Sequence, residues 1–372
     1  MRIAVAKEIK THEYRVGMTP YCAEEYVRAG HSVTVQVGAG DGAGYTDDEY
    51  LAAGASLESD VRRLFDEADM IVKVKEPQAS EIPYFHKGQI LYTYLHLAAE
   101  RALTDGLMAA GVTAIAYETI QTDDRALPCL KPMSEIAGRL SVQEGAKYLE
   151  KAFGGRGILL GGVPGVRRGK VVILGGGVAG INAAKMAVGI GADVSVLDIN
   201  HQRLGYIDDV FGSTLMTLFS NRKNIVDSLR EADVVIGALL IPGAKTPRLV
   251  SREDLGLMKP GAVLVDVSID QGGTFESSRP TSHDQPIYTE GGVVHYCVTN
   301  MPGAVALTST LALTNQTLFY GLEIANSGVA GACKRLPALR HGLNIVNGHL
   351  TCPPVAQAHD LPLTPVDTAL AG

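Results

Sequence analysis

Cysteine is scarce in this chain of 372 residues, and its five copies are scattered. Cys22, Cys129, Cys297, Cys333 and Cys352 form no C-x-x-C pair and show no spacing typical of metal ligands. A zinc site or a disulfide framework would require such spacing. We therefore interpret the cysteines as buried free thiols in a reducing compartment, and the sequence predicts no metal centre.

Long apolar runs are also missing, and so is an excess of positive charge. No run approaches the ~18 apolar residues that span a bilayer, and the N-terminus starts on a strand pattern without an apolar signal core. The net charge of −7 argues against nucleic acid as a partner. The sequence therefore predicts a cytoplasmic protein, with no membrane or nucleic-acid partner, that binds small molecules through local groups.

Glycine is abundant, with 42 copies, in a composition that is 46% hydrophobic. A chain of this length usually forms two domains, each able to bury its own core. Strand patterns alternate with helical patterns along most of the chain, which is typical of parallel sheets with helices on both faces. The predicted fold class is α/β, with two Rossmann-like, doubly wound parallel-sheet domains.

Two long helical patterns, residues 134–153 and 307–325, link the predicted domains. The nucleotide domain is predicted to be an insertion, residues 130–305, within a substrate domain of residues 1–129 and 306–372. The segment after the second helix is too short for a core of its own, so we expect it to pack on the first domain. A cleft between the two domains would then lie at the carboxyl ends of both sheets.

The most informative stretch runs from Lys170 to Gly180. A strand of apolar residues leads into Gly175-x-Gly177-x-x-Gly180, a helical run follows, and a second strand ends at Asp198, 18 residues beyond Gly180. The first glycine permits the tight turn, the second lets the backbone approach a pyrophosphate, and the third lets the helix lie close to the strand. We interpret this order as a dinucleotide site rather than a glycine turn without a ligand.

Asp198 indicates which dinucleotide is bound. A carboxylate at this position accepts hydrogen bonds from the ribose hydroxyls and repels a 2′-phosphate, which predicts NAD rather than NADP. Arg203, five residues further on, is a feature that favours NADP.

Two acid/base candidates follow strand patterns. His96 follows residues 90–95, and an imidazole that titrates near neutrality suits proton exchange with an amine, imine or carbonyl. Asp270 follows residues 263–269, and a carboxylate just past a strand of a nucleotide fold lies beside the cofactor. The alternatives are a hydrogen-bonded structural histidine and a turn-forming aspartate.

Two cations are candidates for binding a substrate anion. Lys73 and Lys75 share one face of an otherwise apolar strand pattern, and Lys75 is nearer its carboxyl end. Arg15 lies in the charged loop after the first strand, where its guanidinium could hold a carboxylate through two parallel bonds. The alternatives are an edge strand kept soluble by charge and a solvated surface arginine.

Five segments together resemble the alanine dehydrogenase / NAD(P) transhydrogenase alpha-subunit family, and in particular alanine dehydrogenase. These long and specific motifs lie at residues 9–20, 72–77, 94–98, 132–138 and 266–273, so the resemblance covers almost the whole chain. The residues from Thr351 onward look less like the family, and we expect a frayed tail.

The resemblance implies an activity and roles for the candidate residues. It implies reversible oxidative deamination of L-alanine by NAD⁺ and water to pyruvate, ammonium and NADH. His96 would be the acid/base and Asp270 the second catalytic residue, while Arg15 and Lys75 would hold the substrate carboxylate and carbonyl. A homohexamer is also implied.

The same resemblance implies a set of cofactor-binding residues around the glycine turn. With Gly175, Gly177 and Gly180 this set comprises Ser134, Val178, Ala179, Asp198, Arg203, Ser220, Leu239, Leu240, Val267, Ser268, Ile269, Asp270, Arg279, Val298, Thr299, Asn300 and Met301. Three other functions stay open: the NAD-binding module of a nicotinamide nucleotide transhydrogenase, a dehydrogenase for lysine-type amino acids, and a non-catalytic NAD sensor.

Overall fold

The computed structural model describes residues 1–239 and 246–371. The chain divides into two compact units: unit 1 comprises Met1–Met133 and Gly303–Gly372, and unit 2 comprises Ser134–Pro302. Unit 2 is therefore flanked in the sequence by the two parts of unit 1. Within the described ranges, no helix is both long enough and apolar enough to cross a membrane.

Helices and strands alternate along much of the chain. The described strands are β1 (Arg2–Val5), β2 (Ser32–Gln36), β3 (Ser56–Glu58), β4 (Met70–Val72), β5 (Ile90–Thr93), β6 (Thr113–Ala116), β7 (Lys170–Leu174), β8 (Asp193–Asp198), β9 (Met216–Phe219), β10 (Val234–Gly237), β11 (Val263–Asp266), β12 (Ile287–Glu290), β13 (Val293–Tyr296), β14 (Leu343–Val346) and β15 (His349–Leu350). The described helices are α1 (Pro20–Arg28), α2 (Asp47–Ala52), α3 (Val61–Asp66), α4 (Arg101–Ala110), α5 (Lys131–Tyr148), α6 (Val178–Gly189), α7 (His201–Phe211), α8 (Arg222–Glu231), α9 (Ala306–Arg335), α10 (Ala338–Gly342), α11 (Pro353–His359) and α12 (Val366–Ala371).

The two sheets share one strand order. In unit 1 the order is β15-β14-β6-β5-β4-β1-β2-β3, with β1 to β6 parallel and the last two strands antiparallel. In unit 2 the order is β12-β13-β11-β10-β7-β8-β9, with β12 antiparallel at one edge. The parallel strands of each sheet thus follow the order 3-2-1-4-5-6 of doubly wound dinucleotide folds. The α/β fold class predicted from the sequence is confirmed.

This strand order determines where each sheet can bind a ligand. The order reverses between β1 and β4 in unit 1 and between β7 and β10 in unit 2. Ligands of such sheets bind outside the carboxyl ends of the strands at that reversal. The central strands β4, β5, β10 and β11 are buried along their whole length, as expected for apolar strands covered on both faces.

The two long helices differ in extent from the sequence prediction. Helix α5 begins at Lys131 rather than at Ser134, because the preceding turn already bonds the Lys131 N–H to the Leu127 carbonyl at 2.9 Å and Pro132 is tolerated in a first turn. Helix α9 continues to Arg335, with a break in helical geometry at Gly328, whose φ is 66°.

The predicted frayed tail is wrong for the described residues beyond Thr351. The Thr351 hydroxyl donates to the Leu343 carbonyl at 2.8 Å, and the Asn347 side chain donates to the Ala369 carbonyl at 3.2 Å. Ala369 on α12 is buried, and α11 follows β15 directly. The sequence signal that was missed is the Pro353-Pro354 pair, which starts a helix with apolar residues behind it.

Candidate active site

The predicted substrate residues of unit 1 follow three neighbouring strands. Arg15 lies in the loop after β1, Lys75 follows β4 and His96 follows β5. The strands β5, β4 and β1 are adjacent in the sheet and parallel. Because carboxyl ends of parallel strands meet at one edge, the structure brings the three segments to the same edge of the unit 1 sheet.

Arg15 is buried rather than solvated. Its Nε donates to the Glu13 Oε1 at 2.7 Å, its Nη2 donates to Oε2 at 2.5 Å, and Nη1 reaches the Met133 sulfur at 3.1 Å. Burial works to lower the pKa of the guanidinium, but the ion pair with Glu13 outweighs it and holds the pKa above its ordinary value. A two-bond pair of this kind orients the planar guanidinium as well as neutralising it.

Lys73 and Lys75 have different environments. Lys73 is fully buried, with its Nζ 2.8 Å from the Glu81 Oε1 and 3.2 Å from the Glu8 Oε2. Strand β4 lies between β1 and β5, so the edge-strand alternative is wrong. Lys75 is half-buried, and both its backbone groups are held by side chains: its N–H donates to Glu8 Oε1 at 3.2 Å, and its carbonyl accepts from the Thr93 hydroxyl at 3.0 Å.

His96 has a left-handed backbone, with φ 50° and ψ 35°. Non-glycine residues rarely adopt this conformation, and it persists only where the surroundings enforce it. Glu118, just after β6, does so by accepting the His96 N–H at 2.7 Å and the Leu95 N–H at 3.1 Å. The imidazole stacks against the Tyr94 ring, with centroids 6.0 Å apart, and its side chain is 46% exposed. A rigid backbone therefore presents an accessible ring.

The glycine turn of unit 2 joins β7 to α6, and each glycine meets different surroundings. Gly175 has φ 104°, a left-handed value, and a Cβ there would lie 2.7 Å from the Ala238 carbonyl oxygen. A Cβ on Gly180 would lie 1.8 Å from the Gly175 carbonyl oxygen, so the helix is in close contact with the turn. A Cβ on Gly177 would meet nothing within 4 Å, and no side chain caps α6. The open side therefore faces outward at the positive end of a helix dipole, which fits a pyrophosphate.

Helix α5 packs closely on the start of α6. A Cβ on Gly138 would lie 2.1 Å from the Ala179 carbonyl oxygen. Ser134 lies one turn before Gly138 on the same face of α5. The structure thus places Ser134 on the face of α5 that adjoins the glycine turn.

Asp198 ends β8 and binds the glycine turn directly. Its Oδ2 accepts the Gly176 N–H at 2.6 Å, and its Oδ1 accepts the Asn200 N–H at 2.8 Å. The Ser220 N–H, just after β9, donates to the Asp198 carbonyl at 3.0 Å. Arg203 also contacts this turn, since a Cβ on Gly176 would lie 3.2 Å from the Arg203 Cγ. The acid and the competing cation are therefore both beside the turn.

The remaining predicted cofactor residues of unit 2 lie mostly in loops that follow its strands. The Ser268 hydroxyl donates to the Leu239 carbonyl at 2.7 Å, which ties the loop after β11 to the segment after β10. Arg279 places its guanidinium carbon 4.0 Å from the Tyr288 ring centroid. The segment 298–301 follows β13. Leu240 lies outside the described residues.

Asp266 organises the loop that carries Asp270. Its buried Oδ2 accepts the Ser278 hydroxyl at 2.5 Å and the Thr274 N–H at 2.9 Å, and its Oδ1 accepts the Ser268 N–H at 3.1 Å. One carboxylate therefore joins Ser268, which precedes Asp270, to Thr274 and Ser278, which follow it. Asp270 is exposed on the short turn Ile269–Gln271 within it.

The buried position of Asp266 predicts a pH effect on stability. Burial raises the pKa of Asp266 from 3.8 to about 6. The hydrogen bonds that it accepts act in the opposite direction, because they favour the charged form, but burial prevails. The folded state thus holds a proton that the unfolded state releases, so the Asp266 contribution to the free energy of unfolding falls by about 3 kcal/mol as pH rises from below 4 to above 6. Denaturant unfolding of wild type and Asp266→Asn between pH 4 and 7 measures this difference. Parallel curves for the two proteins would contradict it.

Sequence analysis missed the carboxylates that hold the candidate residues. Glu13 fixes Arg15, Glu118 fixes the His96 backbone, and Glu8 accepts the Lys75 N–H. Two signals were available. Glu8 and Glu13 lie in the charged loop after β1, and Glu118 follows a buried strand just as His96 does. Within the described part of the chain, no group of three or more His, Cys, Asp or Glu side chains could hold a metal ion.

A 3-2-1-4-5-6 sheet, a glycine turn open at a helix N-terminus and an acid at the tip of the second strand together define a dinucleotide-binding protein. Sequence profiles of the alanine dehydrogenase/PNT N-terminal and C-terminal domains match residues 4–137 and 141–353. The chain belongs to this family of oxidoreductases.

Full-length relatives support the same assignment. The chain is 56% identical to an alanine dehydrogenase of Methanococcus maripaludis, over all of both chains. Its fold is similar to that of an L-alanine dehydrogenase structure, with a TM-score of 0.94 and 52% identity over 97% of this chain and 99% of the other. A transhydrogenase from Sinorhizobium meliloti is less similar, with a TM-score of 0.81 and 26% identity over 95% of this chain and 99% of the other.

Proposed function

We propose that the protein is an NAD-dependent L-alanine dehydrogenase, which reversibly converts L-alanine, NAD⁺ and water into pyruvate, ammonium, NADH and a proton. The observation that carries the proposal is one sheet edge with a buried, charged Arg15 and an accessible His96 on a rigid backbone. An amino-acid substrate needs an anchor for its carboxylate and an acid/base for its amine. The similarity to full-length alanine dehydrogenases supports the choice of substrate.

Arg15 and Lys75 are proposed to bind the substrate. Arg15, oriented by Glu13, would hold the alanine carboxylate, and Lys75 would hold the pyruvate carbonyl oxygen in the reverse direction. If both ends of this three-carbon acid are held, its Cα–H bond has one orientation in the site. The orientational entropy is then lost on binding and not in the chemical step. Glu13 already holds the Arg15 side chain, and Glu8 and Thr93 already hold the Lys75 backbone. Substrate binding therefore does not have to order either residue from a mobile state.

His96 and Asp270 are proposed to handle protons. A dinucleotide bound by unit 2 would supply the acceptor for the hydride of the alanine Cα. His96 would then take a proton from the water that adds to the iminium carbon and later help ammonia leave, and Asp270 would act as the second proton-transfer residue.

Unit 2 is proposed as the NAD-binding domain and unit 1 as the substrate domain, with boundaries at residues 130–305 and at 1–129 plus 306–372. Asp198 would accept the ribose hydroxyls, with its carboxylate already oriented by the Gly176 N–H. The full set of predicted cofactor residues given above is retained in this proposal. We further propose a homohexamer in the cytoplasm, which suits five buried free cysteines.

One assay tests this function. NADH formation is measured at alkaline pH with L-alanine, glycine, L-serine, L-valine and L-lysine, each with NAD⁺ and with NADP⁺. We expect L-alanine with NAD⁺ to give the highest kcat/KM, at least about tenfold above NADP⁺, because Asp198 repels a 2′-phosphate. Equal use of both dinucleotides would contradict the role of Asp198. No turnover of L-alanine would contradict the proposed activity.

The transhydrogenase module is the alternative function. It shares the fold, but the identity to the transhydrogenase structure is 26%, against 52% to the L-alanine dehydrogenase structure. Such a module would not turn over L-alanine on its own, so the same assay separates the two functions.

A further inference from the structure

A buried ionic cluster lies directly behind Lys75 in unit 1. Its members are Glu8 in the loop after β1, Lys73 just after β4, and Glu81. The Lys73 side chain is fully buried, and those of Glu8 and Glu81 are 2% and 4% exposed. Charged groups are costly to bury, so a cluster of three beside a binding residue requires a reason beyond stability.

Glu8 differs from Glu81 in what it contacts. Its Oε2 lies 3.2 Å from the Lys73 ammonium, while its Oε1 accepts the N–H of Val74 at 2.6 Å and the N–H of Lys75 at 3.2 Å. Glu81 contacts the same ammonium at 2.8 Å, but its other oxygen accepts the Gln78 N–H. Of these two carboxylates, Glu8 is the one joined to the Lys75 backbone by these bonds.

The position of Glu8 follows from the end of a strand. Strand β1 ends at Val5, and the Ala6 N–H makes its last bond to the β4 side, to the Val72 carbonyl at 3.4 Å. Beyond that point the Glu8 carboxylate accepts the Val74 N–H, which faces the β1 side, and also the N–H of the next residue, Lys75. On the other side, the Thr93 hydroxyl holds the Lys75 carbonyl. Lys75 therefore projects from a backbone fixed by side chains.

We infer that Glu8 is a positioning residue for Lys75, with Lys73 acting as the counter-ion that holds the Glu8 carboxylate in place. This inference rests on the proposed function in one respect, namely that Lys75 binds the substrate. A carboxylate has two oxygens and so serves the ammonium and the backbone donors at once. An amide has one acceptor oxygen and cannot serve both.

The test compares Glu8→Gln with Glu81→Gln as a matched control. Both variants leave Lys73 with one carboxylate, so they remove the same charge from the same cluster. We expect Glu8→Gln to raise the KM for L-alanine and pyruvate at least about tenfold with kcat changed less than about threefold, because substrate anchoring is weakened. Glu81→Gln should change both constants less than about twofold, and NADH binding should be unaffected in either.

A double-mutant cycle distinguishes positioning from a general structural effect. In a Lys75→Ala background, Glu8→Gln should raise KM no further, because the residue through which it acts is gone. An undiminished increase in that background would overturn the inference. If the amide variant does not fold, Glu8→Asp replaces it: it keeps both oxygens and the charge, but is one methylene too short to reach both sets of partners, so the same rise in KM is expected.

Amide exchange gives a readout that does not depend on the substrate. Exchange at Val74 and Lys75 should be faster in Glu8→Gln than in Glu81→Gln, because the single acceptor oxygen of the new amide would have to serve both the Lys73 ammonium and these two N–H groups, whereas Glu81 accepts only the Gln78 N–H. Equal exchange in the two variants overturns the inference. If wild type fails to oxidise L-alanine while exchange still differs, the proposed activity is wrong and the positioning of Lys75 stands.

Discussion

Replacing His96 with alanine is expected to lower kcat for L-alanine oxidation by about 10²- to 10⁴-fold, the usual contribution of a general acid/base. The physical reason is that the imidazole is accessible while its backbone is fixed by Glu118. Removing the ring deletes the proton-transfer group without disturbing the glycine turn of unit 2. The dissociation constant for NADH, measured by fluorescence titration, should change less than about twofold.

His86 offers a matched control beyond the opposite end of the same strand. His86 is exposed and precedes the amino end of β5, whereas His96 follows its carboxyl end. His86→Ala should leave kcat and KM within about twofold of wild type. Retention of more than a tenth of the wild-type kcat by His96→Ala would contradict a catalytic role. His96 would then have only a structural role at the sheet edge.

The fold was predictable because two patterns recur along the chain. Apolar strands alternating with helices define a parallel sheet, and the glycine turn with Asp198 identifies the dinucleotide fold. What no pattern shows is that both sheets follow the same 3-2-1-4-5-6 order. Strand order depends on which strands pair, and pairing is a long-range property that local periodicity does not encode.

The C-terminal segment shows where local patterns fail. Strand β14 has four residues and pairs with β6, which lies more than 200 residues earlier in the chain, and β15 has two residues and pairs with β14. So short a strand carries little periodicity of its own. Its place in the sheet is set by contact with a distant strand, so local patterns did not predict β14 and β15, although the segment was expected to pack on the first domain.

The chemical groups of the candidate site were predictable from the sequence, but the contacts that hold them in place were not. His96, Lys75 and Arg15 were recognisable because a titratable or cationic residue after a strand is unusual. The supporting role of the carboxylates behind them was not predictable, because Glu8, Glu13 and Glu118 act through contacts that only the fold creates, even though each lies where a polar residue is notable. Supporting groups of this kind are invisible to motif spacing, although they determine how firmly each binding residue is held.

Replacing Gly180 with alanine is expected to destabilise unit 2, whereas replacing Gly177 is expected to abolish tight dinucleotide binding with the fold intact. A Cβ on Gly180 would lie 1.8 Å from the Gly175 carbonyl oxygen, so α6 would have to move away from the turn. Overpacking of this severity should cost about 3 kcal/mol or more and lower the unfolding midpoint by at least about 6 °C.

Gly177 is the opposite case within the same motif. Its φ of −66° suits any residue, and a Cβ there would meet no atom of the protein within 4 Å. The Gly177→Ala midpoint should therefore stay within about 2 °C of wild type. The added methyl group would occupy the space where the backbone must approach the pyrophosphate, so we expect NADH to bind at least about tenfold more weakly.

Gly189, near the far end of the same helix, is the control for both. A Cβ there would also meet nothing within 4 Å, and alanine favours a helix over glycine by about 0.5–1 kcal/mol. Gly189→Ala should bind NADH normally and unfold at or slightly above the wild-type midpoint. Thermal unfolding without ligand and NADH titration on the three variants separate the two roles. Normal NADH binding by Gly177→Ala would mean that the pyrophosphate does not pass over this turn, and an unchanged midpoint for Gly180→Ala would mean that α6 does not pack on it closely.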